Sequence, residues 1–166
     1  MQSFRYILRL FHVLIQGGTP VFAAFYDSSK SKFHIDGTGG GTLRDISAFV
    51  TEVTGLPGSR TLAEVTAIND AGSKFHPSIE TVTVGLRGVY DDSVESSGGP
   101  EVIFGVLRTA TATASIAYRP EGNTSGMQSY TAEVWVENFE IVSRVGSHVE
   151  WSATLRVDGQ VTRTTV

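Results

Sequence analysis

The side chains able to do chemistry are few and scattered. Four histidines, His12, His34, His76 and His148, stand too far apart for paired metal ligation, and no His-Glu-x-x-His motif occurs. His34 and Asp36 alternate with Ile35, so one strand face would present both, which is two ligands at most. A solvated strand face is the plainer expectation for them. Asp91, Asp92 and Glu95 lack the spacing of a calcium loop and read as a strand-ending turn. The glycine-rich stretch 36–42 is followed by no Gly-Lys-Ser/Thr, so it reads as a loop at a strand junction and not as a phosphate cradle. No Gly-x-Ser-x-Gly nucleophile elbow is present. Glu133, Glu137, Glu140 and Glu150 gather in one region. As catalytic carboxylates they would need a cleft and one raised pKa; spread over a sheet they form an acidic, solvated face. The chain thus offers no catalytic residues, no metal site and no cofactor site, and an assembly or binding role is expected over an enzymatic one.

Composition narrows the classes further. At 166 residues the chain suits one domain, large enough to bury roughly 70% of its unfolded surface. Its 18 glycines, with many Thr, Ser and Val, favour strands and turns over helices. There is no cysteine, which excludes disulfides and thiolate metal sites and fits either redox compartment. A net charge of −4 argues against general nucleic-acid binding by the free subunit. It leaves open a surface that nucleic acid slides past. No run of 18 apolar residues exists, so no spanning helix and no membrane partner is expected.

The elements that must position any site are read from periodicity. Residues 1–20 mix apolar side chains with Arg5, Arg9 and His12 and end at Gly17-Gly18-Thr19-Pro20. Three readings stay open for them: an arm docking on a neighbouring chain, a start placed too far upstream, or a leader. Residues 21–166 form the domain. Short strands are expected at 23–26, 32–36, 43–50, 46–54 and, more weakly, 61–68. Residues 69–77 read as a long polar loop, a length that is usually functional. Strict alternation returns at 81–90 and 111–118. Pro100 and Glu101 mark a helix start, and Val102, Ile103, Val106 and Leu107 give it one apolar stripe, so a short helix is expected over about 97–109. The strongest pattern is 128–157, read as three strands joined by two tight turns, with a break after Glu137. Residues 161–166 follow as a β-prone tail. The sum is mainly β: a β-sandwich or distorted barrel with one short flanking α-helix and extended loops or arms.

A succession of segments then resembles the major tail (tail tube) proteins of long-tailed bacteriophages. Thr42-Leu43-Arg44-Asp45-Ile46-Ser47-Ala48-Phe49-Val50-Thr51 comes first, followed by Gly55-Leu56-Pro57-Gly58 and Leu62-Ala63-Glu64-Val65-Thr66. The likeness continues through residues 72–80, Gly88-Val89-Tyr90-Asp91-Asp92 and Tyr118-Arg119-Pro120-Glu121-Gly122-Asn123, in the expected order. The resemblance implies a structural virion protein that self-assembles into six-fold rings stacked as a hollow tube. DNA would pass through the bore without specific binding. Implied partners are further copies of the chain and other tail proteins such as the tape measure and tail terminator. The implied location is the phage tail, assembled in the host cytoplasm. Ring-to-ring contacts in such proteins come from a long loop or hairpin and from arms. Here that points to the 54–60 turn and the 69–79 loop, with Leu56, Pro57, Phe75, His76 and Pro77 as contact candidates. The 161–166 tail is a candidate strand for a neighbour. Glu133 and Glu137, or else Glu140 and Glu150, become candidates for an acidic lumen that repels phosphates.

Two other classes remain. A monomeric β-sandwich that binds carbohydrate or a receptor would expose an aromatic patch including Trp135. The tube of a contractile secretion system would share the fold of the wider family.

Overall fold

The computed structural model describes residues 27–37, 41–91 and 99–166, without the side chains of Glu101 and Val102. The arm expected at 1–20, the strand expected at 23–26, His12, and Asp92 and Glu95 lie outside the described residues. Seven strands form one antiparallel sheet. In chain order its members are β1 (Lys32–Asp36), β2 (Leu43–Asp45), β3 (Val50–Thr54), β6 (Thr83–Val89), β7 (Ala114–Arg119), β8 (Gln128–Val142) and β9 (Glu150–Thr165). Two more, β4 (Arg60–Glu64) and β5 (Phe75–Glu80), pair only with each other. The helix α1 (Pro100–Leu107) lies between β6 and β7 in the chain.

The spatial order of the sheet is β2-β1-β7-β8-β9-β6-β3. Its two edges, β2 and β3, are consecutive in the chain, separated only by Ile46 and the 3₁₀ turn Ser47–Phe49. Laid flat, six strand spacings would put the edges about 29 Å apart. Five residue steps from Asp45 to Val50 reach at most about 18 Å. The sheet must therefore curl until its edges approach. The link is pinned at the seam: Ile46 N donates to Phe33 O (3.0 Å), and Phe33 N donates to Ser47 Oγ (2.8 Å). Ile46 itself is buried. The expected sandwich or distorted barrel is realised as this single curled sheet, which does not close into a barrel.

Alternation decides what lies inside the curl. Phe33 and Ile35, Val84 and Leu86, Ala114 and Ile116, Ala132 and Val134, and Trp151, Ala153 and Leu155 all face one core. Helix α1 covers it with Ile103, Phe104 and Leu107. Phe104 stacks against Phe139 (5.5 Å) and Trp151 (5.4 Å), which fixes the helix to β8 and β9. Pro100 occupies the helix start as its sequence requires, and the expected helix over 97–109 is trimmed to Pro100–Leu107.

Two expectations for the C-terminal third need correction. Residues 128–157 are not three strands: β8 runs unbroken from Gln128 to Val142. The break expected after Glu137 is a β-bulge, where the register steps from Val136↔Leu155 to Asn138↔Thr154. The extra residue shifts the inward phase by one, so Val136 and Phe139 both face the core although three positions separate them. The 161–166 tail is likewise no free arm. It is the end of β9, paired with the start of β8 from Thr131↔Thr162 to Gln128↔Thr165. The turn signal Asp158-Gly159 is absorbed as a second irregularity in β9, with Gly159 at φ +90°.

Two glycines separate crowding from room. A Cβ on Gly88 would fall 1.7 Å from Phe49 O and 2.7 Å from the Trp151 ring, whereas one on Gly105 in α1 would meet nothing within 4 Å. Gly88→Ala is expected to destabilise by at least about 1–3 kcal/mol through overpacking. Gly105→Ala should stabilise by about 0.5–1 kcal/mol by removing a helix-interior glycine. Urea denaturation of the two variants checks the opposite signs.

Candidate assembly surfaces

The chain between β3 and β6 leaves the body as a hairpin. Gly55 makes the exit at φ +88°, where a Cβ would strike Thr83 O at 2.0 Å. Leu56 turns back and packs against the core, so this contact candidate anchors the base of the hairpin. Pro57 is exposed beside it. The 69–79 loop of the sequence reading is strand from Phe75 onward: β5 pairs with β4 through Leu62↔Pro77, Ala63↔His76 and Glu64↔Phe75. The tip is held by its own polar groups. Val65 N donates to Lys74 O (2.9 Å), Ala67 N to Asp70 Oδ2 (2.7 Å), and Lys74 forms an ion pair with Asp70. At the base Arg60 approaches Glu80 at 4.0 Å.

This register sorts the remaining contact candidates. Leu62, Phe75 and Pro77 share one face of the hairpin, while His76 points to the other and takes part in a contact between Nδ1 and Pro77 O (2.9 Å). Leu62 is 57% and Phe75 56% exposed. A two-stranded hairpin is marginal by itself. One that also leaves a Leu and a Phe in water has an unmet driving force for burial.

A second surface is the outward face of β8 and β9. Cross-strand partners alternate with the core-facing set, so Glu133, Trp135, Glu140, Glu150, Ser152, Thr154 and Arg156 all lie on it. The bulge brings Glu137 onto the same face, where it accepts hydrogen bonds from Arg156 at 3.1–3.3 Å. The sequence left two pairs of glutamates as alternatives; the structure places all four together. Glu133 accepts from Ser115 Oγ (2.5 Å), Glu140 from Asn138 Nδ2 (2.9 Å), and Glu150 lies 3.3 Å from His148 Nε2. All four are exposed. The face continues onto β6 with Arg87 and onto β3 with Glu52. Trp135 is 39% exposed there, a single aromatic flanked by charges.

A groove of mixed polarity opens along the seam between β1 and β3, where Lys32, Ser47, Thr51 and Glu52 lie beside Val50 and Tyr118. Its volume is about 490 Å³. The sequence gave no signal for it, because its walls come from β1, β3 and β7 and meet only through the curl.

The solvated reading of His34 and Asp36 is overturned. Asp36 is buried and accepts a hydrogen bond from Gly41 N (2.7 Å); His34 is 9% exposed, with Nδ1 lacking a partner. Burial holds the imidazole below its ordinary value of 6.5, reinforced by Arg119 and Lys32 and opposed by Asp45 and a hydrogen bond to the Ala117 backbone. Asp45 also ion-pairs with Lys32 (3.3 Å) across β1 and β2. Among the described residues no group of three or more His, Asp or Glu side chains is placed to hold a metal, and no helix is long and apolar enough to cross a membrane.

The fold of this chain is similar to that of subunits in solved phage tails and injection systems. The SPP1 tail tube is similar with a TM-score of 0.66 at 12% identity, over 86% of this chain and 80% of that one. The tail of a gene transfer agent particle with C6 symmetry gives 0.64 at 10%, over 84% and 99%. A chain of the PVC sheath–tube complex, from an extracellular contractile injection system, gives 0.58 at 13%, over 94% and 97%. The sequence matches no protein-family model and no curated protein.

His34 generates a pH dependence with a fixed sign. Its folded value is depressed, so below pH 6.5 the unfolded chain binds the proton more readily than the native one. Stability is expected to be flat in this group above that pH and to fall as pH drops below it. Urea titrations from about pH 8 to 5 should show the decline, and His34→Gln should flatten it.

Proposed function

We propose that the chain is a tube subunit of a phage-type tail, a structural and non-catalytic protein that forms six-fold rings stacked into a hollow conduit for DNA. The observation that carries this reading is the projecting hairpin with its unpacked Leu62, Phe75 and Pro77 face, on a body whose fold is that of tail-tube proteins. Its partners are copies of itself, with a tape measure in the bore and a terminator at the end of the tube. It resides in the virion after assembly in the host cytoplasm. The domain occupies 21–166, and residues 1–20 keep their three readings as an arm, a leader or a start placed too far upstream. The hairpin makes ring-to-ring contact, because ring closure and stacking both use heterologous surfaces that no monomer can satisfy internally. The exposed sheet edges β2 and β3 are hazards in a monomer and find partners in a ring.

The acidic outward face of β8 and β9 lines the lumen in this reading. Carboxylates there repel phosphates, so DNA slides without releasing counterions into a bound state. Trp135 by itself is too small a patch to favour a carbohydrate-binding module. The likeness to a contractile injection system supports a second form of the same reading, in which the tube sits inside a sheath.

Negative-stain electron microscopy beside size-exclusion chromatography tests the assembly. Rings or tubes are expected; a monomer at every concentration, seeded or not, sinks the proposal. Changing Glu133, Glu137, Glu140 and Glu150 to Gln together should leave tubes intact and slow DNA ejection from reconstituted particles. Unchanged ejection would remove these residues from the lumen.

A further inference from the structure

The step Asp-Gly occurs twice in the chain, at Asp36-Gly37 and Asp158-Gly159. It is open to a reaction with itself, because glycine sets no Cβ between its own amide and the preceding carboxyl group. We propose that Asp158 is a site of spontaneous isomerisation to isoaspartate, and that the fold protects Asp36 from the same reaction. Water is the only other reactant. Gly159 N attacks Cγ of the Asp158 carboxyl in its acid form. The N–Cγ bond forms, the Cγ–OH bond breaks, and the amide proton leaves with the hydroxyl as water. Water then opens the imide ring. Attack at Cγ restores aspartate. Attack at the main-chain carbonyl of Asp158 leaves Gly159 joined through Cγ, so that Cβ becomes part of the main chain. The reaction goes beyond the tube reading and does not depend on assembly.

Three observations set the two sites apart. The first is the backbone. Ring closure needs Gly159 N to approach Cγ, and a regular paired strand prevents this by holding ψ at its extended value. Asp158 lies where that hold ends on both sides of β9. Pairing with β6 stops at Thr83↔Arg156, followed by one hydrogen bond from Val157 N to Val82 O (3.0 Å). Pairing with β8 passes from Glu133↔Asp158 to Thr131↔Thr162, so residues 159–161 face Ala132 alone. The second is the carboxyl group. Asp158 is exposed, and its side chain has no hydrogen bond or ion pair among the described residues. Asp36 is buried, pairs with Leu43 in register and accepts from Gly41 N (2.7 Å), which fixes its carboxylate. The third is room at the attacking amide. Gly159 stands at φ +90°, and a Cβ there would meet nothing within 4 Å. The same point on Gly37 lies 3.5 Å from the Arg44 guanidinium. Isomerisation at 158 lengthens the main chain just ahead of 162–165, the run that closes on the start of β8.

The full chain tests this, kept warm near neutral pH for some weeks beside a sample held in urea. Trypsin cuts after Lys32, Arg44, Arg156 and Arg163, which puts the two sites on separate peptides, 33–44 and 157–163. Isoaspartate in each is measured by electron-transfer fragmentation, which breaks the Cα–Cβ bond that only isoaspartate carries in its main chain. Labelling by an isoaspartate-specific methyltransferase gives a second count. In the native sample the yield at 158 is expected to exceed that at 36 several-fold, and in urea the two should be comparable. No isoaspartate at 158, or native yields that match, overturns the proposal. The same excess at 158 in urea also overturns it, because the local sequence and not the fold then decides the rate. Asp158→Glu is an exposed change whose ring would be larger and far slower to close. It should remove the signal from 157–163 and leave that from 33–44 unchanged; a signal that survives on 157–163 overturns the assignment to Asp158.

Discussion

Everything in this molecule hangs on a link that is too short. β2 and β3 are opposite edges of a seven-stranded sheet, yet only Ile46 and one 3₁₀ turn join them. A flat sheet is excluded by chain length alone. The curl that results creates an inside, and alternation fills it with one apolar set from every long strand. The same curl brings β1 and β3 near each other and so makes the seam, where Phe33 exchanges hydrogen bonds with Ile46 and Ser47 of the link. Helix α1 can then be short. Its eight residues need only cover the open core with Ile103, Phe104 and Leu107, and the ring contacts of Phe104 hold it there.

How much of this was legible depends on burial. Where one face is buried, the sequence alternates and the strand is readable: β6 and β7 appear nearly as expected, and so does the helix. Where burial fails, so does the reading. β5 contains Pro77 and is exposed on both faces, so no hydrophobic period marks it, and a strand was read as a loop. The break after Glu137 failed for another reason. A bulge and a turn leave the same trace in a hydropathy pattern, a slip of one residue, and only the pairing with β9 distinguishes them. His34 and Asp36 looked solvated because alternation with Phe33 and Ile35 assigned them to the outer face. The assignment to one face was right; the burial of that face was not visible locally.

The candidate surfaces show the same division. The four glutamates were found by clustering in sequence, and the register puts them together because strands convert near neighbours into face neighbours. The hairpin contacts came in part from resemblance, and the structure separates them by role. Leu56 is an anchor, Phe75 and Pro77 are presented, and His76 faces away. The groove had no sequence signature, since long-range curl assembles it from three strands. A fold can thus be shared at about a tenth of sequence identity, because curl and alternation tolerate any apolar residue of suitable size.

The pairing of the last strand has a mechanical meaning. β9 is bonded to β8 along nearly its whole length and to β6 over its first half, and Val166 is tied back by Met127 and Gly126. Tension applied along β9 would load many hydrogen bonds at once, as shear. Tension applied across it would open the Gln128 end first and part the bonds one after another, as a zip. The C-terminus is therefore a strong attachment point in one direction and a weak one in the other, and anything fused there is held firmly only if it pulls in line with the strand.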